Sequence, residues 1–149
     1  MNYVLNSNKI AIASNSTSFF TRALFFPNES HDVTRFVPLI TQASGQPLAI
    51  VSKKFSTLAE LKTKSRLTIG MQNGGISQLV VEALAKQLPN TEIAMVAYIG
   101  TPEATRDVVA GHLDLSVDFA DSAHPWVLEK KLNVIGITGT KSYPDFPSF

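Results

Sequence analysis

The second half of this sequence alternates between strand-like and helix-like segments, and this alternation constrains the fold more than any other feature. From residue 56 onward the predicted order is α-β-α-β-α-β-α-β, with only a few residues in each connection. The strands of this part are predicted at residues 67–70, 93–98, 113–119 and 134–138. Strands that alternate with helices across short loops form a parallel sheet whose two faces are covered by helices. We therefore predict an α/β domain built on a mostly parallel sheet with helices on both faces.

Local signals at the helix ends agree with this order. Ser56 is predicted to cap a helix that has Glu60 in its first turn. Thr101 is predicted to cap a later helix that has Pro102 in its first turn and ends at Gly111. Further helices are predicted at residues 77–88 and 122–129, the first with a stripe of apolar side chains at Leu79, Val80, Ala83, Leu84 and Leu88.

The first part of the chain is less regular. Residues 9–13 and 36–41 are apolar runs that predict strands, and residues 19–26 predict a helix. The polar cluster at residues 14–18 supplies Ser, Thr and Asn side chains that can cap this helix. A further apolar strand at residues 47–52 leads into the alternating region.

Composition excludes several classes of protein. The chain has 149 residues, a length typical of about one domain, and no cysteine, which excludes disulfides and cysteine-based zinc sites or nucleophiles. Its 13 Lys and Arg residues are scattered and are balanced by 12 Asp and Glu residues, which argues against binding of nucleic acid. No apolar run reaches the roughly 18 residues of a membrane span, and the first residues lack the pattern of a signal peptide.

Motifs for cofactors and catalysis are missing from the sequence as well. The glycines at residues 74 and 75 do not form a dinucleotide G-x-G-x-x-G pattern or a Walker loop. No pair among His31, His112 and His124 has the close helical spacing of a zinc site, and no Gly-x-Ser-x-Gly elbow marks a nucleophile. The sequence therefore carries none of these cofactor, zinc or nucleophile motifs.

Three loops follow predicted strands, which is where parallel sheets bind their ligands. Residues 73–75 (Asn-Gly-Gly) allow close approach of the backbone and can offer amides to an anion, or they form a turn whose glycines only satisfy its geometry. Thr101 presents a hydroxyl to a ligand or serves only as a cap. Asp118 and Asp121 bind a cation or an amine, or they are ordinary solvated acids.

The order and spacing of several segments resemble one protein family. These segments are Asn-Gly-Gly at residues 73–75, Tyr-Ile-Gly-Thr-Pro at 98–102, Gly-His-Leu-Asp-Leu at 111–115, Asp118, Gly-Ile-Thr at 136–138 and Tyr-Pro-Asp-Phe-Pro at 143–147. Residues 10–18 are similar to a polar segment near the start of the family's members. Together they resemble the Bug-type extracytoplasmic solute receptors, the substrate-binding proteins of tripartite tricarboxylate transporters.

This resemblance implies a type II periplasmic-binding-protein-like fold with two lobes and a ligand in the cleft between them. Residues 1–47 then correspond to a remnant of the first lobe, residues 48–141 to the second lobe, and residues 142–149 to the start of the segment that returns to the first lobe. The implied function is capture of a small carboxylate-bearing solute in the periplasm for the membrane subunits of a transporter. No cofactor, no metal and no catalysis are implied.

The resemblance also implies a set of ligand-binding residues on both lobes. These residues are Ser14, Ser16, Thr17, Asn73, Gly74, Gly75, Ile76, Ser77, Tyr98, Gly100, Thr101 and Asp118. Ile76, Leu79 and Ile99 replace polar residues that are common in the family, and one first-lobe loop of the family's clamp is missing. We therefore expect the backbone amides to retain anion binding, with weak affinity and altered specificity.

Two alternatives remain open at the level of sequence. One is a small α/β hydrolase or transferase that uses Asp118 or His112 in the cleft. The other is a truncated lobe without binding activity that associates with itself. Phenylalanines are concentrated in the first-lobe remnant, and exposed apolar surface of this kind predicts a homodimer. These phenylalanines are Phe19, Phe20, Phe25, Phe26 and Phe36.

Overall fold

The computed structural model describes residues 18–29, 37 and 45–139, and the centre of this part is a five-stranded sheet. The strands are β1 (Leu48–Ser52), β2 (Arg66–Gln72), β3 (Glu92–Tyr98), β4 (Leu115–Phe119) and β5 (Asn133–Ile137), in the spatial order β3-β2-β4-β1-β5. Strand β2 pairs in parallel with β3 and β4, whereas β1 runs antiparallel to its neighbours β4 and β5. This architecture confirms the predicted α/β fold with a mostly parallel sheet.

Helices lie at the predicted places before and between the strands. They are α1 (Ser18–Phe25), α2 (Leu58–Leu61), α3 (Ile76–Gln87), α4 (Thr101–Ala110) and α5 (Ala120–Leu128), and a short 3-10 helix (Pro27–Glu29) follows α1. Their ends differ from the predicted ends by one or two residues. The strands predicted at residues 9–13 and 36–41 lie outside the described residues. No helix in residues 18–29 or 45–139 combines the length and the apolarity that a membrane span requires.

Two apolar cores lie on the two faces of the sheet, because successive side chains of a strand point to opposite faces. On one face α2 and α3 pack on residues such as Ile69, Leu115 and Val117. On the other face α4 and α5 pack on residues such as Val51 and Val134. The predicted coverage of both faces is therefore confirmed.

The buried face of α3 differs from the predicted stripe. Val81 and Leu84 are buried, as is the hydroxyl-bearing Ser77, whereas Ala83 is exposed. Leu88 is buried but lies just past the last helical residue. The helix is thus rotated from the predicted orientation, since its position on the sheet depends on packing against β2 and β4 rather than on apolar spacing alone.

Two predicted helix caps are wrong. Thr57, rather than Ser56, is the N-cap of α2, and its hydroxyl accepts a hydrogen bond from the Glu60 backbone N–H. Glu60 in turn accepts from the backbone N–H of Ser56 at 3.0 Å, so the two neighbouring residues share the capping interaction. Thr101 is the first residue of α4, after the N-cap Gly100, and its side chain makes no capping bond. The predicted end of α4 at Gly111 is confirmed by a left-handed φ of 89°.

The reversed direction of β1 brings the beginning of this strand to the edge where the other strands end. Leu48 lies opposite Phe119, the last residue of β4, and next to the end of β5. The Thr138 backbone N–H donates to the Leu48 carbonyl at 2.8 Å, and the Leu48 N–H donates to the Thr138 hydroxyl at 2.9 Å. The entry to β1 and the exit from β5 are therefore joined by a reciprocal pair of hydrogen bonds.

Candidate functional site

Residues 73–77, called the glycine loop below, comprise the connection from β2 and the first two residues of α3, at the edge of the sheet where the parallel strands end. Strand β2 leads into α3 on one face, whereas its neighbour β4 leads into α5 on the other face. Adjacent parallel strands whose helices diverge in this way leave a crevice beyond their carboxyl ends. The glycine loop lies at this crevice.

Hydrogen bonds with the side chain of Gln78 and the backbone of Gln72 fix the shape of the glycine loop. Gly74 adopts a left-handed φ of 69°, and its N–H donates to Oε1 of Gln78 at 2.9 Å. The N–H of Gly75 donates to the Gln72 carbonyl at 3.1 Å, and the Gln72 N–H donates to the buried Ser77 hydroxyl at 2.9 Å. Gly74, Gly75 and Ser77 therefore shape the loop through bonds within the protein.

The start of α3 offers backbone amides to an anion. Gly75 is the N-cap and makes no side-chain capping bond. Within the described residues, the N–H groups of Ile76 and Ser77 have no hydrogen-bond acceptor. Two N–H groups at the positive end of a helix of 12 residues favour a negative group such as a carboxylate.

Helix α1 packs against the glycine loop, although 53 positions separate the two in sequence. The hydroxyl of Thr21 donates to the Gly74 carbonyl at 2.8 Å in a buried hydrogen bond. A Cβ added to Gly74 would lie 3.0 Å from Cε2 of Phe26 and 3.6 Å from Cγ of Arg22. The guanidinium carbon of Arg22 lies 4.8 Å from the centroid of the Phe26 ring. A hydroxyl, an aromatic ring and a cation from the first part of the chain thus surround the loop.

The loop after β3 lies beside the glycine loop. The Asn73 N–H donates to the Tyr98 carbonyl at 3.3 Å, and Nε2 of Gln72 donates to the Ile99 carbonyl at 3.1 Å. These bonds hold Ile99 at the crevice, where its side chain is 96% exposed. The structure therefore brings Asn73 and Gly100 into neighbouring loops, as the sequence predicted.

Asp118 is fully buried, so the interpretation of this residue as a solvated loop acid is wrong. Its Oδ1 accepts hydrogen bonds from the Thr101 hydroxyl at 2.5 Å and from the Phe119 N–H at 2.7 Å. Its Oδ2 accepts from the Thr105 hydroxyl at 2.9 Å, and Thr105 also lies 3.1 Å from the Ser116 hydroxyl. Asp118 and Thr101 therefore fix α4 on β4, and any effect of theirs on a ligand is indirect. Asp121, by contrast, is exposed.

The hydroxyl of Tyr98 is bound to α4. It donates to Oδ2 of Asp107 at 2.5 Å, and the Asp107 carboxylate also lies 3.5 Å from Nδ1 of His112. This hydrogen bond, followed by burial and by the negative charge of Asp107, raises the pKa of Tyr98 to about 12. Asp107 lies six residues after the start of α4, which places the bound hydroxyl about 9 Å along the helix from the crevice. Tyr98 therefore contributes its backbone carbonyl, rather than its hydroxyl, to the region of the glycine loop.

Three of the predicted site residues belong to the first part of the chain. Ser14, Ser16 and Thr17 lie outside the described residues, so their predicted role stays a prediction.

Three residues around the glycine loop were not predicted from the sequence, namely Thr21, Arg22 and Gln78. Their contacts join segments that are distant in sequence or depend on a side-chain rotamer, and the only local signal was Gln78 four residues after Gly74.

No metal centre is formed by the part of the chain that the structure describes. In residues 18–29 and 45–139, no three His, Cys, Asp or Glu side chains are grouped so that they could hold an ion. The arrangement at the crevice instead consists of amides, a hydroxyl already bound to the loop, a guanidinium and apolar side chains. Such a set can bind an anion without any chemical change to it.

No protein-family model matches the sequence. One relative in sequence and several solved structures are nevertheless similar to this chain. A relative in Pseudomonas sp. (strain P51), the UPF0065 protein in the tcbD-tcbE intergenic region, is 27% identical over 144 residues, which covers 91% of this chain and 43% of the relative. The chain therefore spans less than half the length of this relative.

Solved structures of periplasmic proteins share the fold. A periplasmic transporter has a TM-score of 0.70 and 21% identity, over 82% of this chain and 44% of its own. The periplasmic binding protein BugD has a TM-score of 0.62 and 22% identity, over 69% of this chain and 38% of its own. A protein from Rhodopseudomonas palustris with bound malate has a TM-score of 0.61 and 22% identity, over 69% of this chain and 39% of its own. This chain therefore resembles the Bug-type solute receptors, as the sequence predicted, and has the fold of a periplasmic binding protein over less than half of such a protein's length.

Proposed function

We propose that this chain binds a small carboxylate-bearing solute at the glycine loop and serves uptake by a tripartite tricarboxylate-type transporter. The observation that carries the proposal is the start of α3, where the N–H groups of Ile76 and Ser77 have no acceptor among the described residues. A carboxylate placed there gains two hydrogen bonds and the positive end of the helix dipole.

The comparisons support the solute class and the site of action. One structural neighbour was solved with malate and another with adipate, which are both carboxylates, and other neighbours are named as periplasmic proteins. We extend this to a periplasmic location for the present chain, with the membrane subunits of a transporter as its protein partner. On the same basis we propose residues 48–141 as the second lobe, residues 1–47 as a remnant of the first lobe, and residues 142–149 as the start of the segment that returns to the first lobe.

The alternative of a small enzyme is disfavoured by the placement of its two proposed catalytic residues. Asp118 is buried and bound to Thr101 at the beginning of α4, whereas His112 follows Gly111 at the end of the same helix. The helix has 10 residues and is therefore about 15 Å long. A general acid or base must lie within hydrogen-bond reach of the reacting group. Asp118 is fully buried and bound to protein donors, and His112 lies at the end of α4 away from the crevice, so neither residue meets this requirement at the glycine loop.

An NMR titration tests the proposal. Citrate, glutamate and nicotinate are added to the labelled chain, and we expect the largest amide shifts at residues 73–77 and 99–101. Shifts confined to other surfaces, or no binding of any carboxylate at millimolar concentration, contradict the proposal.

A pair of variants isolates the backbone amide from the side chain. Ile76→Pro removes one N–H at the first helical position, where proline is well tolerated and where the extended backbone of Gly75 suits a following proline. Ile76→Ala keeps the N–H and is the matched control. We expect Ile76→Pro to bind about fivefold more weakly than Ile76→Ala, as for the loss of one hydrogen bond. Equal affinity in the two variants contradicts a role for this amide.

A further inference from the structure

The peptide bond between Asn73 and Gly74 has the sequence at which an asparagine rearranges most readily. Asparagine is followed by glycine only once in the 149 residues. Glycine has no Cβ, so its nitrogen can approach the carbon of the preceding side-chain amide without steric hindrance. Asn73 is exposed, and its side-chain amide makes no hydrogen bond with any described residue. The amide is therefore open to water and can rotate.

The backbone at this bond forms a type II β-turn over residues 72–75. The Gly75 N–H donates to the Gln72 carbonyl at 3.1 Å, Gly74 has a φ of 69°, and Asn73 is not among the described residues with a positive φ. The Asn73 carbonyl and the Gly74 N–H belong to the central peptide group of this turn. Attack of the Gly74 nitrogen on the Asn73 side chain requires this group to rotate out of the orientation of a type II turn.

Gln78 holds the central peptide group in its orientation. Its Oε1 accepts from the Gly74 N–H at 2.9 Å, and its Nε2 lies 3.3 Å from Oε1 of Glu82, which fixes the amide at both ends. Among the described residues, no other group accepts from this N–H. The bond from Thr21 instead ends on the Gly74 carbonyl, which belongs to the next peptide group. Rotation of the central group therefore breaks one hydrogen bond, the one to Gln78.

We propose that Asn73 is a site of spontaneous conversion to aspartate and isoaspartate, and that Gln78 suppresses this conversion in the folded chain. In the first step the Gly74 nitrogen bonds to Cγ of Asn73, and the side-chain nitrogen leaves as ammonia with the proton of the Gly74 N–H. A succinimide ring remains. Water then opens the ring at one of its two carbonyls and gives aspartate or isoaspartate.

Either product changes the glycine loop. Residue 73 gains a negative charge, and in isoaspartate the main chain passes through Cγ and is longer by one methylene. The longer chain no longer fits the type II turn, and it displaces the Gly74 carbonyl from the buried hydroxyl of Thr21. The inference does not depend on the proposed function, although a negative charge beside the start of α3 opposes the binding of a carboxylate.

Incubation of the full chain in mildly alkaline buffer, with and without denaturing urea, tests the site. Peptide mass spectrometry measures conversion at Asn73, and electron-transfer fragmentation separates isoaspartate from aspartate. We expect slow conversion in the folded chain and fast conversion in urea. Asn90 is also exposed but precedes Thr91, whose Cβ hinders ring closure, so it should stay unconverted. Hydrogen exchange of the Gly74 amide should be slowed by folding to about the same extent, since both processes need this N–H released.

Two variants on one helix isolate the contribution of Gln78. Gln78→Leu removes the acceptor at similar size, and conversion in the folded chain should be about fivefold faster, as for the loss of one hydrogen bond. Gln87→Leu makes the same substitution at the exposed last residue of α3 and should convert at the parent's rate. Circular dichroism checks that both are folded. Asn73→Gln should abolish the signal, because closure then requires a larger ring.

Each result decides the inference without reference to carboxylate binding. No conversion at Asn73 in urea, or equal rates in the folded and unfolded parent, overturns it. Conversion of Gln78→Leu at the parent's rate overturns the role of Gln78. If Gln78→Leu does not fold, the parent still gives the answer: slow conversion together with an unprotected Gly74 amide overturns that role, and matching protection supports it.

Discussion

The hydroxyl of Thr101 donates a hydrogen bond of 2.5 Å to the carboxylate of Asp118, and both residues are buried where α4 begins and β4 ends. The N–H of Phe119 and the hydroxyl of Thr105 complete the set of donors to this carboxylate. Among the described residues, no buried side-chain nitrogen or oxygen atom lacks a hydrogen-bond partner, the carboxylate of Asp118 included. The position of the loop that contains Ile99 and leads into α4 therefore depends on the carboxylate of Asp118, which is buried out of a ligand's reach.

Thr101→Val should destabilise the fold, because it removes one donor from a buried carboxylate and leaves the shape of the side chain nearly unchanged. A hydrogen bond to a charged group contributes about 1.5–3 kcal/mol, and we expect a loss of that size in the free energy of unfolding. Urea denaturation measures it. Thr63→Val removes an exposed hydroxyl-to-carbonyl bond and is the control, with an expected change within about 0.5 kcal/mol. A loss as small as the control's would show that Asp118 does not depend on Thr101.

Gly70→Ala should also destabilise the fold, for a steric reason. A Cβ at Gly70 would lie 2.7 Å from Cβ of Ala104 and 2.7 Å from Cδ1 of Leu113, so α4 would have to move away from β2. Overpacking of this kind costs about 1–3 kcal/mol. Gly136→Ala is the matched control in β5, because the nearest atom there is 3.9 Å away, and it should be neutral or slightly stabilising. Equal thermal midpoints for the two variants would contradict the close approach of α4 to β2.

The titration of Tyr98 gives a prediction for alkaline pH. The bond to Asp107 raises the folded-state pKa to about 12, above the ordinary value of about 10. A raised pKa means that the contribution to stability is complete below about pH 10 and is lost as the pH rises towards 12. Phenolate absorbance should therefore show one tyrosine that titrates late, and Tyr98→Phe should remove this late step. A late step that persists in Tyr98→Phe would assign it to another tyrosine.

Thr21→Val should loosen α1 from the glycine loop, because it leaves the Gly74 carbonyl without its buried donor. The expected cost is about 1 kcal/mol, and it should appear as local opening rather than as global unfolding. Hydrogen exchange measured residue by residue should be faster in α1 and at Gly74, with little change in β4. The Thr63→Val variant again serves as the control. Uniformly faster exchange across the sheet would mean that α1 contributes to the stability of the whole domain.

Self-association is predicted from the apolar residues of α1. Leu24 is 70% exposed, and Phe19 and Phe25 are only half-buried. Exposed apolar surface of this kind favours an interface, so we expect a dimer in light scattering that dissociates on dilution. Leu24→Lys should shift the equilibrium towards the monomer. A monomer of the parent chain at high concentration would contradict this prediction.

The sheet and its helices were predictable because their signals are local. The alternation of apolar periods and the glycines at the turns give the order of the elements, and Gly111 marks the end of α4 in the sequence as in the structure. The direction of β1 had no such signal, since the sequence of a strand does not say which way its neighbours run.

The side-chain roles at the crevice were less predictable, because they depend on contacts between distant segments. The position of Asp118 at the end of a strand is as typical of a solvated acid as of a buried one. A better signal was present in the spacing of its partners: Thr101 and Thr105 are one helical turn apart, and Ser116 and Asp118 lie on one face of β4. The contact of Thr21 with Gly74 spans 53 residues and left no local trace.

The reciprocal hydrogen bonds between Leu48 and Thr138 have a mechanical consequence. The chain enters β1 and leaves β5 at one point, and this point lies on the same edge of the sheet as the glycine loop. A second body attached through both connections would be held by two adjacent tethers, which permit rotation about the line between them and resist sliding. Such a hinge would lie two strands away from β2, at the end of the sheet that carries the glycine loop, so that one motion would both admit a solute and enclose it.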